Sequence, residues 1–375
     1  GQDVPLLCNT RWRLHKRTGD TWSLLAEAEG YRQREPAILG TLGKKTLLLN
    51  VNDSTEPPGK HYGPCKPYTM KFSLKTPEVP KMLMPEWTPD TYFTDHSYRS
   101  FSADRKRSEV LMLNINAETS ALFYALMNQD GKTLANGTIE FPIRSCYAQT
   151  ALVNGAAYVF AVSDIVEPIE EWRSYKYEQR QRKWDYVFRI IYLTQSNNLR
   201  KEPFSKPLEI DNVDKTAGAI RNQDIHVAPN GDVYLLYTKR RVADALMQQK
   251  YFPDLSTLTS LELVIVRDGK ILSRNTVMEA KAESQPGNAR FHVDADGEVH
   301  VVLYATIDGV AGNWLMPLNS IQTTPKFIPI PLSQPVASFT LADTRAGNAP
   351  SNTIDLLGAA PNNTIVNAEI QLQKK

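Results

Sequence analysis

Three arginines, Arg34, Arg221 and Arg290, stand at the heads of β-like apolar runs. A guanidinium takes a carboxylate or sulfate in a planar fork, so arginines gathered at one place imply an anionic ligand. His96, Tyr98, Tyr147 and Tyr304 carry groups that transfer protons or attack carbon, and Asp53, Asp164 and Glu167 supply acids or bases. Asp224, Arg240 and Asp308 extend the polar set, and Trp172, Tyr175, Tyr177, Trp184 and Tyr251 offer flat faces suited to stacking on sugar rings. Each has a plainer role as well: an arginine bridging neighbouring strands, a tyrosine in a core, an aspartate in a turn. Chemistry requires elements that bring these positions to one place.

Those elements read as nearly all β. Short runs of Val, Ile, Leu, Tyr and Phe recur between Gly, Asn, Asp and Pro, and one hairpin repeats. Residues 225–237 read IHVAPNGDVYLLY and residues 291–304 read FHVDADGEVHVVLY, each a strand, a tight Asx-Gly turn and a strand. Looser copies occupy 148–164 and 36–50, and weaker ones 98–114 and 338–357. Further strands follow the hairpins, for example 121–127 with 133–140 and 261–266 with 271–278. Four strands per repeat predict a β-propeller, most simply six blades of four-stranded antiparallel sheets, with five or seven as alternatives. The reading takes 1–375 as one propeller domain, its ring closed by the N-terminal strands 11–17 and 22–26 joining the last blade. A β-sandwich is the competing all-β fold, but it does not require one hairpin to recur at blade spacing.

The alternation of a four-stranded meander assigns faces. Starts of first strands share one face with the connections between second and third strands, and the long insertions fall there, at 53–67, 164–184 and 239–260. Arg34, His96, Tyr98, Tyr147, Arg221, Asp224 and Arg290 map to first-strand starts on this face. Asp53, Asp164, Glu167, Arg240 and Asp308 map to second-strand ends. A face that collects the long loops around a central funnel is where a propeller is expected to bind its ligand. The segments 170–184 and 240–251 have the polar, mixed surface of short helices over that mouth.

Composition excludes other classes. Among 375 residues, 43 Lys and Arg stand against 41 Asp and Glu, for a net charge of +2, with 42% hydrophobic residues. That balance argues against disorder and against a dedicated nucleic-acid binder, and no apolar run approaches the roughly 20 residues of a membrane span. Cys8, Cys65 and Cys146 lack the spacing of a zinc or redox pair, so no metal and no cofactor is expected, although Cys8 and Cys65 could bridge. The opening Gly-Gln-Asp in place of Met reads as a mature chain after removal of an export signal, which predicts a secreted or periplasmic monomer.

The stretch 31–39, YRQREPAIL, resembles the Tyr/Phe-Arg-x-Pro-Ala-Leu strand that opens the catalytic domain of the sialidase superfamily, and the repeated hairpins resemble that family's BNR repeats. The family's Asp box is present only in degenerate form, in NQDGKTL at 128–134 and RTGDTW at 17–22. The resemblance implies that Arg34 is one of three arginines clamping a substrate carboxylate, with Arg221 and Arg290 as candidates for the other two. It further implies a tyrosine nucleophile among Tyr98, Tyr147 and Tyr304, and Asp53 as the acid. The expected activity is then glycoside hydrolysis of an acidic oligosaccharide or polysaccharide, with Asp224, Asp164 and Trp172 completing the substrate contacts. Two alternatives use the same residues. A polysaccharide lyase would cleave uronate polymers by β-elimination through His96, Tyr98 or Tyr147 and Arg34, and a non-catalytic propeller would only bind the glycan.

Overall fold

The computed structural model describes residues 9–19, 21–33, 38–43, 45–55, 64–89, 91–94, 98–116, 118–322, 324–359 and 364–373. Six antiparallel sheets follow one another along the chain as the blades of a propeller. Blades one to five each have four described strands and span 38–83, 100–139, 145–212, 219–279 and 285–330; blade six has three, within 338–371. The first strand of each blade is Ile38–Thr41, Ser100–Asp104, Ser145–Val153, Ala219–Val227, Gln285–Val293 and Ser338–Leu341. These six strands surround the central axis.

Local sequence explains the hairpins. In blade three Asn154 and Gly155 take φ of 52° and 86°, the left-handed pair that a two-residue turn needs to match the twist of its strands. Side chains between blades form the core: Leu111, Leu126, Val159 and Ala161 are fully buried between blades two and three, and Leu236, Leu263, Val301 and Leu303 between blades four and five. Truncating any of these leucines would cost about 2–5 kcal/mol through lost transfer energy and an unfilled cavity.

The N-terminal strands Asn9–Thr18 and Thr21–Gln33 pair with each other as a separate two-stranded sheet. Trp12 and Ala26 pack onto Val51, Tyr68, Met70 and Phe72 of blade one, with the Trp12 and Phe72 rings 5.0 Å apart, edge to face. On the other side Arg17 Nη1 lies 2.9 Å from Glu369 Oε1 and bonds Asn367, both on the last strand of blade six, Ile365–Gln371. The hairpin thus touches both blades that flank the ring's seam. Cys65 and Cys146 are buried, and Cys8 lies outside the described residues.

Two helices rise from the face of the long connections. Helix α1, Glu170–Arg180, lies between the second and third strands of blade three, and helix α2, Ala245–Tyr251, between those of blade four. A two-stranded clasp, Ile165–Val166 with Tyr186–Val187, holds the base of the first insertion. Glu167 anchors it: its fully buried carboxylate takes Lys176 Nζ at 2.7 Å and Arg189 Nη1 at 3.0 Å. Burial alone would raise the Glu167 carboxyl, but the bonds from Arg189 and Lys176 outweigh it and hold the group below the ordinary carboxylate range. Asp244 caps α2 by accepting from Met247 N at 3.1 Å and lies 2.8 Å from Arg180 at the end of α1, so the helices are tied together.

Candidate active site at the mouth of the propeller

The first strands of blades three, four and five break register at one level, between Cys146 and Gln149, Asn222 and Asp224, and Pro286 and Ala289. A bulge sets two residues against one and re-aims side chains. Here it turns polar groups toward the axis and joins them. Gln149 Nε2 donates to the Gln223 carbonyl at 2.6 Å, and Arg290 Nη1 donates to the same carbonyl at 2.8 Å. Asn222 Nδ2 donates to the Tyr147 carbonyl and Asn288 Nδ2 to the Ala337 carbonyl, both at 2.6 Å. A girdle of side chains therefore links blades three to six at the mouth. Glycine is required at Gly287, where an added Cβ would lie 2.8 Å from the Tyr304 carbonyl oxygen.

Tyr147 occupies the bulge of blade three with φ 51°, a left-handed conformation that costs a bulky residue about 1–3 kcal/mol and persists only where the surroundings enforce it. Its ring stands 43% exposed at the mouth, 5.4 Å from the Tyr98 ring and edge to face with it. Arg144 covers Tyr98 with its guanidinium 5.0 Å from the ring centroid and lies 2.9 Å from Asp164. Burial raises the Tyr98 phenol, with Arg144 pulling partly against it. Burial raises Tyr147 further, reinforced by Tyr98 and Asp164. Both phenols hold their protons at neutral pH. Burial also pushes the Cys146 thiol well up, which leaves it an unreactive neighbour.

Deeper on the axis lies a second charged group. The loop between the first two strands of blade six folds inward as one 3-10 turn, Thr344–Ala346, across the ring. Asp343 caps that turn by accepting from Ala346 N at 2.7 Å. Arg345 Nε lies 3.2 Å from Asp224 Oδ1 of blade four, and Arg345 Nη1 reaches the Thr150 carbonyl of blade three at 3.5 Å. Gly347, φ 87°, sits so close to the Thr41 carbonyl of blade one that no side chain would fit. Asp224 is buried and also accepts from Phe291 N at 2.8 Å. Burial raises the Asp343 carboxyl against the pull of Arg345, and lowers Arg290. Two aspartates and two arginines thus balance one another at the hub.

The structure brings together Tyr98, Tyr147 and Asp164 from the sequence reading, and separately Asp224 with Arg290. Arg221 is exposed and lines the wall nearest α1 and α2. Trp172 is turned away from the mouth; it packs between the helices against Tyr251 and Phe252, under the Arg189 guanidinium. Asp53, on the second strand of blade one, accepts from the Tyr68 hydroxyl at 3.2 Å. Arg240 Nε donates to Thr259 Oγ1 at 2.8 Å, Asp308 sits in the strand turn of blade five with φ 49°, and Tyr304 packs beside the blade-six core. Arg34 and His96 lie outside the described residues. Sequence reasoning missed Arg144, Gln223 and Arg345. Arg144 carries a readable sign, since it immediately precedes the first strand of blade three as Arg221 lies near the start of that of blade four, whereas Arg290 sits past the middle of the strand Gln285–Val293.

No protein-family model and no curated protein matches the sequence. Solved structures do resemble it in fold. An ulvan lyase, a polysaccharide lyase solved bound to GlcA(1-4)Rha3S, is 10% identical, with 88% of this chain and 81% of that one covered and a TM-score of 0.49. The α-L-arabinofuranosidase of Fusarium graminearum, solved with an iminosugar inhibitor, is 11% identical over 98% of both chains, with a TM-score of 0.49. The Synechocystis apocarotenoid oxygenase is 10% identical, with 92% of this chain and 70% of that one covered and a TM-score of 0.50. At such identities the likeness is one of fold. None of these three is a sialidase, so the sialidase resemblance stands on the short motif around Arg34 and the hairpin pattern. Among the described residues, no helix is long and apolar enough to cross a membrane.

Proposed function

We propose that the protein acts on an acidic glycan at this mouth and cleaves it by β-elimination beside a uronate carboxylate. The observation that carries the reading is the Tyr98–Tyr147 pair: two phenols that burial keeps protonated, their rings 5.4 Å apart edge to face with Arg144 over Tyr98, at the rim of an arginine-bearing funnel. In this reaction an arginine neutralises the carboxylate, and a base removes the proton on the carbon alpha to it. That electron pair becomes a carbon–carbon double bond as the glycosidic bond at the β carbon breaks, and the departing oxygen takes the phenolic proton. Tyr147 is assigned as the acid. His96, two positions before Tyr98 in the chain, is assigned as the base, and Arg34 with Arg290 holds the carboxylate.

The sialidase-like alternative asks different things of the same side chains. A tyrosine nucleophile needs a depressed pKa, whereas Tyr98 and Tyr147 are both raised. A glycosidase acid needs a carboxyl held protonated. At the mouth Asp164 is ion-paired with Arg144, Asp185 with Lys176 and Asp244 with Arg180, so each of these carboxyl groups is already engaged by a neighbouring cation. Incubation with uronate-containing polysaccharides decides among the readings. Elimination leaves a conjugated, ultraviolet-absorbing unsaturated uronate. New reducing ends without that absorbance would establish hydrolysis, and tight binding with neither would make the protein a lectin-like propeller and end the elimination reading.

A further inference from the structure

Beside the tyrosine pair, between the two helices and blade four, lies a cavity of about 460 Å³, within the range of small-molecule sites. Phe188 joins the two places, since it lines the cavity and its ring lies 5.8 Å from that of Tyr147. Several of the cavity's cations are already engaged: Lys176 by Glu167 and Asp185, Arg180 by Asp244, Arg189 by Glu167 and Asp214, and Lys239 by Asp211. Three lack an acidic partner: Arg182, Arg221 and Arg240 line the same concavity, all exposed, and among the described residues none has a carboxylate partner, while Arg240 also donates to Thr259 Oγ1 at 2.8 Å and to the Ala243 carbonyl. Their setting is rigid, because the Glu167 network and the Arg180–Asp244 tie fix both helices. Like charges facing one water-filled recess repel one another, and a bound anion relieves that cost. Tyr186, 47% exposed, lines the recess and offers a flat surface of the kind on which sugar rings stack.

The geometry points to a second anion subsite here, one that takes the carboxylate or sulfate of a neighbouring sugar in the same acidic chain, with Arg182, Arg221 and Arg240 as its clamp. The inference rests on the acidic-glycan reading and deepens it: the substrate is a polymer that spans the tyrosine pair and this recess, and the attack falls on an internal linkage. Aromatic and basic side chains together also suit single-stranded nucleic acid, but three guanidiniums without acidic partners gathered in one recess match the spaced anions of a sugar chain better than a continuous phosphate backbone, which would need an extended basic groove.

Calorimetric titration tests this with galacturonate and heparin-derived oligosaccharides of two and six sugars, on the wild type and on Arg182→Gln/Arg240→Gln. Thermal unfolding serves as the control for folding. At least one wild-type series should bind its six-sugar oligomer tenfold or more tightly than its two-sugar one, and the double variant should lose that gain while binding the short oligomer within about twofold of wild type. Equal binding of the long oligomer by both proteins overturns the subsite, as does absence of binding by the wild type, or a six-nucleotide single-stranded DNA that binds as tightly. Ultraviolet absorbance read on the same samples separates the two ideas. Unsaturated product without length dependence removes the subsite and leaves elimination standing; length dependence without product supports the subsite and removes elimination.

Discussion

The phenol of Tyr147 stands on a left-handed backbone with its ring packed edge to face against that of Tyr98, so the ring is held at the mouth while little of the fold leans on its hydroxyl. Tyr147→Phe is expected to lower turnover about 10²–10⁴-fold, the usual contribution of a positioned acid, with the melting temperature nearly unchanged. Because burial raises this group, the proton stays on past the ordinary tyrosine value of about 10, and a pH–rate profile should show no loss of the acid below it. The stability link has the same direction: the buried phenols favour the protonated form, and stability falls as pH rises above about 10. His226 shows the opposite case. Burial beside Tyr234 and Phe291 pushes its imidazole down to about 4, so the native state prefers it neutral. Stability is then fully present above about 6.5 and is lost as pH falls toward 4, by about 2 kcal/mol after allowance for the part of the ring that solvent reaches. Urea midpoints should show that loss in the wild type and a flatter profile in His226→Phe.

Among elements, the inward turn Thr344–Ala346 joins blade six to blades one, three and four through Gly347, Arg345 and Asp224. Arg345→Met would leave Asp343 and Asp224 with Arg290 as their remaining cation, one buried negative charge uncompensated, worth about 3–5 kcal/mol. Thermal unfolding should register a large drop, and an unchanged melting temperature would show that the hub is not held by charge. This element also marks where the sequence is hard to read. The Asx-Gly turns of blades three to five announce themselves because their signal is local, and so do the outer strands at 259–267 and 270–279. The loop 342–352 carries no local sign that it doubles back, since only its neighbours from other blades give Arg345 partners. The bulges at Tyr147, Gln223 and Gly287–Asn288 are hidden for a related reason: one extra residue shifts the period-two pattern without changing composition. The gathering of Tyr98, Tyr147 and Asp164 in one place was therefore legible. Arg144 and Gln223 were not.

At the scale of the ring, the N-terminal hairpin bears on both sides of the seam, through Trp12 on blade one and Arg17 on blade six. Removing residues 9–33 would uncover Val51, Tyr68 and Phe72 and take away the Arg17 contacts. The shortened chain should melt at markedly lower temperature and with a broader transition, whereas cooperative melting at the wild-type temperature would show that the ring closes without the hairpin. The bar formed by Arg345 and its partners has a further consequence, for traffic. A propeller with an open bore could let a polymer pass through it, but here the axis is crossed by a turn of backbone and a guanidinium, so whatever enters the mouth has no rear exit. If the protein cleaves an acidic glycan as proposed, a long chain would lie crosswise over the opening, enter it at one linkage and leave by the side from which it came. Each cut would then release both fragments to solvent, successive cuts would fall at unrelated places along the polymer, and viscosimetry should show its viscosity collapse before small sugars accumulate.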